Sequence, residues 1–333
     1  MTTTYDPHHP KYADEKDVRD ELTRVFDLCQ GCRLCSERCS SFPTLFDFVD
    51  RHDDHDAGRL TPAQQDQVID QCWQCKLCYV HCPYTPGQHE WALDFPRLML
   101  RANAMRRANA QVSFRDKLTT EVMGRTDLVG RVASFAAPLA NKVVGARSGS
   151  LVRKVVEVST GVSSQRLLPP YSRQRFSTWF KKRAKIRLEK RQARVALFPT
   201  CLVEYQAPEI GQDLVKVYER NGVECTMVDI GCCGAPWLHS GDVEQFTKVA
   251  AKNVKALAAA VKQGNDIVVP QPTCGYVLKK DYVDYVGGHD ADLVATHTFD
   301  AVEYLMKLHK GDDTRLNIES VSYTHLRAHE TKA

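Results

Sequence analysis

Apolar residues recur at helical spacing near the start of the chain. One stripe repeats at i, i+4, i+7 and i+8 and consists of Val18, Leu22, Val25 and Phe26. It predicts a helix that begins at Asp14. A second helix is predicted over residues 62–71, because the segment Thr61-Pro62-Ala63-Gln64 supplies an N-cap, a proline at the first helical position and a capping-box glutamine. Residues 1–13 show no such pattern, and we expect them to form a disordered tail.

From residue 194 onward, short apolar runs alternate with amphipathic segments. The apolar runs predict strands over 195–198, 225–230 and 267–269. A helix over 208–220 should end at Asn221-Gly222, and a longer helix should end near Lys262. Such alternation is typical of a parallel sheet covered by helices. The expected fold is therefore an α-helical module over residues 14–96 and an α/β domain over residues 194–310.

Residues 97–193, between these domains, are predicted to form a basic helical linker. The segment 97–194 contains 23 Lys and Arg against 5 Asp and Glu, although the whole chain carries a net charge of only +4. The stretch Trp179 to Arg194 is a candidate basic helix. Its charge suits a solvated face, an anionic membrane surface or an acidic partner. Nucleic-acid binding is less favoured, because no recognised nucleic-acid-binding motif accompanies the charge. Breaks are expected near Gly124, Gly130, Pro138, Gly145 and residues 169–170.

Composition points to a reducing compartment. No run of about 18 apolar residues is present, and the N-terminus has no apolar segment of the kind that directs secretion. Thirteen cysteines in such a chain are expected to remain reduced and free to bind metal. We expect a cytoplasmic protein, with peripheral contact to the inner face of the cell membrane through the basic linker.

Eight of the cysteines form two runs with the same spacing, C-x2-C-x2-C-x3-C, and Pro83 follows the second run. This spacing is typical of loops that give three thiolates to one [4Fe–4S] cluster and a fourth to a second cluster. Zinc and a disulfide framework are the alternatives. The two-cluster prediction assigns Cys29, Cys32, Cys35 and Cys82 to cluster 1, and Cys72, Cys75, Cys78 and Cys39 to cluster 2.

Four further cysteines each follow a predicted strand: Cys201, Cys232, Cys233 and Cys274. The carboxyl ends of parallel strands lie on one edge of a sheet, so these thiols should converge there. They are candidates for a third centre that holds an iron–sulfur cluster or another metal. The alternative is that they are ordinary buried thiols. Cys225 lies within a predicted strand and is expected to be such a thiol.

The double cysteine run, the basic linker and the later C…CCG…C pattern resemble the iron–sulfur subunits of the CCG-domain superfamily. That group includes the C subunit of anaerobic glycerol-3-phosphate dehydrogenase, the glycolate oxidase iron–sulfur subunit and heterodisulfide reductases. The resemblance implies a flavoprotein dehydrogenase subunit or another redox partner. In heterodisulfide reductases the CCG motif holds a non-cubane cluster, and its ligands here would be Cys201, Cys232, Cys233 and Cys274. The chain departs from the family in having one CCG motif instead of two, and Val277 where a closing C-x-x-C has cysteine.

The final segment, SYTHLRAHETKA, looks like a translated sequencing-adapter tail. We therefore expect residues 311–333 to be a truncated end with a non-native tail, and we do not take His325 and His329 as a metal pair. The expected function is electron transfer through two [4Fe–4S] clusters, in a subunit of a flavin-linked oxidoreductase complex. The alternative is a heterodisulfide-reductase-like catalytic subunit with redox chemistry at the CCG cysteines. No catalytic residue is assigned.

Overall fold

The computed structural model describes residues 5–184 and 192–310. In the N-terminal part, five α-helices and a short 3-10 turn at Ala57–Arg59 surround one hydrophobic core. The helices are α1 (Glu15–Cys32), α2 (Ser41–Val49), α3 (Pro62–Asp70), α4 (Leu77–His81) and α5 (Phe95–Ala108). Residues 311–333, which include His325 and His329, lie outside the described residues.

The two predicted N-terminal helices are confirmed, and their caps are those that the sequence indicated. The Asp14 side chain accepts a hydrogen bond from the Asp17 backbone N–H at 2.8 Å at the start of α1. The predicted apolar stripe of α1 is buried. At α3, Thr61 and Gln64 form the reciprocal capping box that satisfies two backbone N–H groups. Capping and burial together therefore determine where these helices begin.

The N-terminal module extends past the boundary expected at residue 96. Helix α5 packs against α1, and five of its apolar side chains lie in the core of this module: Phe95, Leu98, Met99, Ala102 and Met105. Its Arg101 is fully buried and donates to the carbonyls of Tyr12 and Lys11 at 2.9 and 2.7 Å. Residues 5–13, expected to be disordered, therefore form turns held against α1 and α5. The Tyr12 hydroxyl also lies 2.7 Å from that of Tyr285.

The central segment is helical, as expected, but the basic stretch is not one helix. The helices are α6 (Phe114–Gly124), α7 (Thr126–Phe135), α8 (Ala137–Val144), α9 (Leu151–Thr160) and α10 (Phe176–Lys182). The helix predicted over Trp179 to Arg194 is wrong at both ends. Helix α10 ends at Lys182 because Arg183 turns inward, pairs with Glu219 at 2.7 Å and stacks on Phe180. At the other end, Arg194 is already in a strand, and residues 185–191 lie outside the described part.

The C-terminal part contains the expected parallel sheet. Its strands are β1 (Ala193–Leu197), β2 (Val223–Met227), β3 (Asp266–Val269) and β4 (Thr298–Asp300), in the order β2-β1-β3-β4. The pairs are parallel, and Leu197 lies opposite both Met227 and Val268. The sequence predicted the first three strands, with β2 placed two residues too late, and missed β4.

The helices of the C-terminal part are α11 (Cys201–Tyr205), α12 (Pro208–Arg220), α13 (Ala235–His239), α14 (Val243–Lys262), α15 (Pro272–Tyr276), α16 (Tyr282–Tyr285), α17 (Gly288–Thr296) and α18 (Ala301–Lys310), with a π-helical turn at Val277–Asp281.

The sheet is covered by helices on both sides. Helix α14 packs on β3 and α17, and α12 packs on β2. Among the helices of residues 5–184 and 192–310, none combines the length and apolar character needed to cross a bilayer. The carboxyl ends of β1, β2 and β3 lie at one edge of the sheet. These strands are followed along the chain by α11, α13 and α15 respectively.

Candidate metal centres

The first cysteine run begins inside a helix. Cys29 and Cys32 occupy the last turn of α1, which ends where Arg33 adopts a left-handed conformation with φ of 52° and its N–H bonds the Cys29 carbonyl at 2.8 Å. The residue that turns the chain is therefore Arg33. Gly31 lies within the helix. Cys35 and Cys39 follow in the turn that leads to α2.

The second run wraps the connection from α3 to α4. Cys72 and Cys75 lie in the loop, Cys78 lies in α4, and Cys82 caps its end. Gln74 and Lys76, on either side of Cys75, both have positive φ, 56° and 64°. The left-handed residues curl the backbone tightly enough to direct three cysteines to one side. The Gln74 amide holds this curl, since its Nε2 donates to the Pro96 carbonyl at 3.1 Å and lies 3.5 Å from the Cys72 sulfur.

The fourth cysteine of the second run lies with the first three of the first run. A small cavity is lined by all four thiols, Cys29, Cys32, Cys35 and Cys82, and is closed by apolar side chains that include Phe42, Tyr84 and Leu93. Likewise, Cys39 of the first run is among the electrostatic neighbours of Cys72 and Cys78. The chain thus crosses between its two runs in the way that the C-x2-C-x2-C-x3-C spacing predicts for two clusters.

Burial disfavours the thiolate form of these cysteines. It raises the pKa of Cys72 to about 11, and burial followed by neighbouring sulfurs raises the pKa values of Cys29 and Cys78. Bound cationic iron would reverse this effect, because a coordinating thiol is deprotonated.

All thirteen cysteines are free of disulfide bonds. Within the described residues, no set of three or more His, Cys, Asp or Glu side chains is arranged to hold one metal ion. The fit to a cluster rests on the shared cavity and its thiol donors.

The four CCG-region cysteines lie together at the sheet edge. Cys201 begins α11 after β1, Cys232 and Cys233 follow β2, and Cys274 lies in α15 after β3. Their sulfurs are electrostatic neighbours in the order Cys201, Cys232, Cys233, Cys274. The last three of these residues are buried.

Neighbouring groups favour the thiolate form of one of these cysteines. The sulfurs of Cys201 and Cys233, and the Gly234 N–H that donates to the Cys232 sulfur at 3.4 Å, lower the pKa of Cys232. The Cys232 sulfur in turn raises the pKa values of Cys201 and Cys233. Four sulfurs close together at one sheet edge are a donor set suited to a soft metal centre.

Three polar side chains hold the CC pair in place, and the sequence did not indicate any of them. The buried Asn253 amide donates to the Cys232 carbonyl and to the Tyr282 hydroxyl, both at 2.9 Å. That hydroxyl in turn donates to the Cys233 carbonyl at 3.0 Å. From the linker, an Asp127 carboxylate oxygen accepts from the Cys232 N–H at 2.9 Å. The backbone of the pair is thus hydrogen-bonded from two directions.

Two other positions behave as their sequence context indicated. Val277 stands where a closing cysteine would lie, and it is buried in the same hydrophobic cluster as Cys232, Cys233 and Cys274. Cys225 is buried within β2 in a separate cluster with Val195 and Tyr218. The prediction that Cys225 is an ordinary core thiol agrees with this position.

Fold and site together define an iron–sulfur protein in which a helical ferredoxin module precedes a cysteine-rich α/β domain. Comparison with known families agrees. Residues 21–109 match the model of a 4Fe-4S dicluster domain, and residues 195–279 match the cysteine-rich CCG domain. Each match covers only part of the chain, and the first matched range includes all of α5.

Several curated proteins are similar to parts of this chain, and the chain spans less than two thirds of the length of each of the following three. The C subunit of anaerobic glycerol-3-phosphate dehydrogenase from Escherichia coli (strain K12) is 27% identical over 254 residues, which cover 65% of this chain and 63% of that protein. Lactate utilization protein A of Bacillus pumilus is 28% identical over 147 residues, 42% of this chain and 59% of that protein. The B subunit of fumarate reductase (CoM/CoB) from Methanothermobacter marburgensis is 33% identical over 95 residues, which cover 28% of this chain and 18% of that protein. No solved structure matches the chain significantly.

Proposed function

We propose that this protein is the electron-transfer subunit of a flavin-linked dehydrogenase complex. Two [4Fe–4S] clusters would be held by the two crossed cysteine sets. The observation that carries the proposal is the cavity that Cys82 shares with Cys29, Cys32 and Cys35. The similarity to a dehydrogenase subunit and a reductase subunit supports the choice of complex. When bound, such clusters accept and release single electrons.

The protein's own contribution is to position the ligands and to adjust the environment of each set. Arg33 and Lys76 provide the left-handed turns, and Gln74 places an amide N–H near the Cys72 sulfur. Hydrogen bonds to the sulfurs and limited exposure are the means by which a protein changes the potential of such a group. Cys32 and Cys75 are exposed, whereas the other six are partly buried. Each set therefore has one corner near the surface, where a redox partner can approach.

The test is the amount of iron and acid-labile sulfide per chain after anaerobic reconstitution. We expect about eight irons in the wild type, two clusters of four. Cys82→Ser should lower the iron content and alter the electron paramagnetic resonance spectrum of the reduced protein. Cys225→Ala is the matched control, because that thiol is buried in another core. Fewer than four irons in folded wild-type protein would overturn the two-cluster proposal.

The flavoprotein partner requires a separate experiment. Affinity purification of the full chain from cells that express the neighbouring subunits should retain a flavin-containing protein. Flavin reduced by substrate should then reduce the clusters, which is seen as bleaching near 400 nm. Retention of only flavin-free proteins would favour another redox partner over a dehydrogenase subunit.

A second candidate function is catalysis at the CCG cysteines, as in a heterodisulfide reductase. The specific observation in its favour is that four cysteine sulfurs lie next to one another at the sheet edge. The apolar Val277 at the closing position weighs against a five-cysteine centre. Iron well above eight per chain that falls to about eight in Cys232→Ser/Cys233→Ser would support a third centre. Equal values near eight would leave the CCG site without iron.

We also propose a cytoplasmic location with peripheral contact to an anionic membrane through the basic central segment. Its helices expose apolar stripes at helical spacing, such as Leu128, Val132 and Phe135 on α7 and Leu151, Val155 and Val158 on α9. The segment that contains these stripes, residues 97–194, carries 23 Lys and Arg against 5 Asp and Glu, and basic residues with exposed apolar side chains are typical of interfacial helices. The protein should float with vesicles containing anionic lipid, less so at high salt, and Val132→Ser/Phe135→Ser should weaken flotation. Equal flotation of that variant would contradict the proposed face.

A further inference from the structure

A second site adjoins the CCG cysteines. A cavity of about 270 Å³ opens between α7, α10 and the carboxyl ends of β1 and β2. Its lining is mostly polar and charged and includes Cys201. Three cationic side chains reach it from different elements: Arg131 from α7, Arg175 from the turn before α10, and Lys181 from α10. Cations that converge on one concave space are a usual arrangement for binding an anion.

The carboxylates in the same lining already accept hydrogen bonds from the protein. Glu204 accepts from the Ser177 N–H at 2.9 Å and from its hydroxyl at 2.5 Å, and it forms an ion pair with Arg175 at 3.5 Å. Asp127 accepts from the Cys232 N–H at 2.9 Å and from the Tyr205 hydroxyl at 3.2 Å. Their oxygens serve the surrounding loops. The third carboxylate, Asp229, lies on the exposed side of the lining.

Backbone strain marks the same place. Thr200 is buried and has φ of 58° and ψ of 155°, a region that residues other than glycine rarely adopt. It lines the cavity and directly precedes Cys201. Asp127 also lies so close to Gly231 that a Cβ there would be 2.0 Å from its carboxylate oxygen. The cavity wall and the CCG loops are therefore built from the same closely packed residues.

We propose that this cavity binds a small oxyanion, a carboxylate or a phosphate, through Arg131 and Lys181, beside the Arg175–Glu204 pair. A guanidinium group binds planar carboxylate and phosphate oxygens with charge-assisted hydrogen bonds, and the ammonium group adds a further donor. The volume suits a ligand of a few heavy atoms. A bound anion would lie beside Cys201 and next to Asp127, which holds the Cys232 backbone.

Binding is tested by isothermal titration of the reconstituted full chain at constant ionic strength. Inorganic phosphate and malonate are the two probes, with chloride as the reference salt. The wild type should bind at least one probe saturably, and which one binds distinguishes a phosphate from a carboxylate site. Arg131→Gln/Lys181→Gln should weaken binding about tenfold or more, because two charge-assisted contacts are lost. Lys182→Gln is the matched control, since Lys182 is exposed on the same helix outside the cavity lining.

Two results would overturn the proposal. One is the absence of saturable binding of either probe to the wild type. The other is equal affinity in the wild type, the double variant and the control. If the double variant is misfolded by circular dichroism, Lys181→Gln alone decides, because Lys181 is exposed and its removal should not disturb the fold.

Discussion

Asn253 is a single side chain on which the geometry of the CC pair should depend. Its amide donates to the Cys232 carbonyl and to the Tyr282 hydroxyl, and the side chain is 2% exposed. Asn253→Leu keeps a similar volume but removes both donations. The Tyr282 hydroxyl still donates to the Cys233 carbonyl at 3.0 Å, so the main loss is a donor to the buried Cys232 carbonyl. An unsatisfied buried group costs about 1–3 kcal/mol, and we expect a loss of about 2 kcal/mol.

Anaerobic urea unfolding, followed by tryptophan fluorescence, measures this change in the free energy of unfolding. Tyr282→Phe should cost a similar amount, because it leaves the Cys233 carbonyl without its donor. The double variant should lose less than the sum of the two, since both side chains hold one loop. Lys252→Leu, exposed on the same helix, is the control and should change stability by less than about 0.5 kcal/mol.

Unfolding of Asn253→Leu at the same urea concentration as the wild type would refute this prediction. Full additivity of the two single-variant effects would also contradict it, because independent effects would mean that the two side chains do not share a network. Iron content provides a further check. The variant should keep about eight irons, since Asn253 bonds the CCG loop and the two ferredoxin-type cysteine sets lie around another core.

Three other perturbations have expected outcomes. Arg101→Met removes the buried partner of Asp17, 2.5 Å away, and should destabilise the chain by about 3–5 kcal/mol in urea unfolding; a loss below about 1 kcal/mol would contradict this. Cys225→Ala should leave iron and sulfide content unchanged, and lower iron in folded protein would make that thiol a ligand. Burial raises the pKa of Asp281 to about 7, against about 4 when unfolded, so folding favours its protonated form. Wild-type stability should therefore fall relative to Asp281→Asn between about pH 4 and pH 7, and a constant difference in melting temperature across that range would refute the assignment.

The sequence predicted the elements that carry strong local signals. The buried stripe of α1 and the capping box of α3 are local patterns, and both are confirmed. Helix α12 matches its predicted bounds because Pro208 starts it and Asn221-Gly222 ends it. Strand β4 was missed, because a strand of three residues, Thr298–Asp300, carries too few positions for any period to show.

The errors came from residues whose role depends on distant parts of the chain. Composition alone made the basic stretch a helix, but Arg183 leaves it to pair with Glu219, 36 positions away in sequence. Likewise, the polar segment before Asp14 seemed free to be disordered. It is held by a buried arginine of α5, and no local pattern indicates that an arginine will be fully buried.

Of the three side chains that hold the CC pair, Asn253 has a position in the sequence that could have revealed it, whereas Asp127 does not. Asn253 lies on the apolar stripe of α14, three residues after Ala250 and four before Leu257, both buried. A buried polar side chain needs a hydrogen-bond partner, so its position alone marks it as a structural contact. Asp127 offers no such signal, because its partner, the Cys232 N–H, lies 105 positions away. It connects the linker, the CCG loop and the adjoining cavity. Since only the tertiary fold creates this contact, the linker acts as part of the CCG site and is more than a spacer.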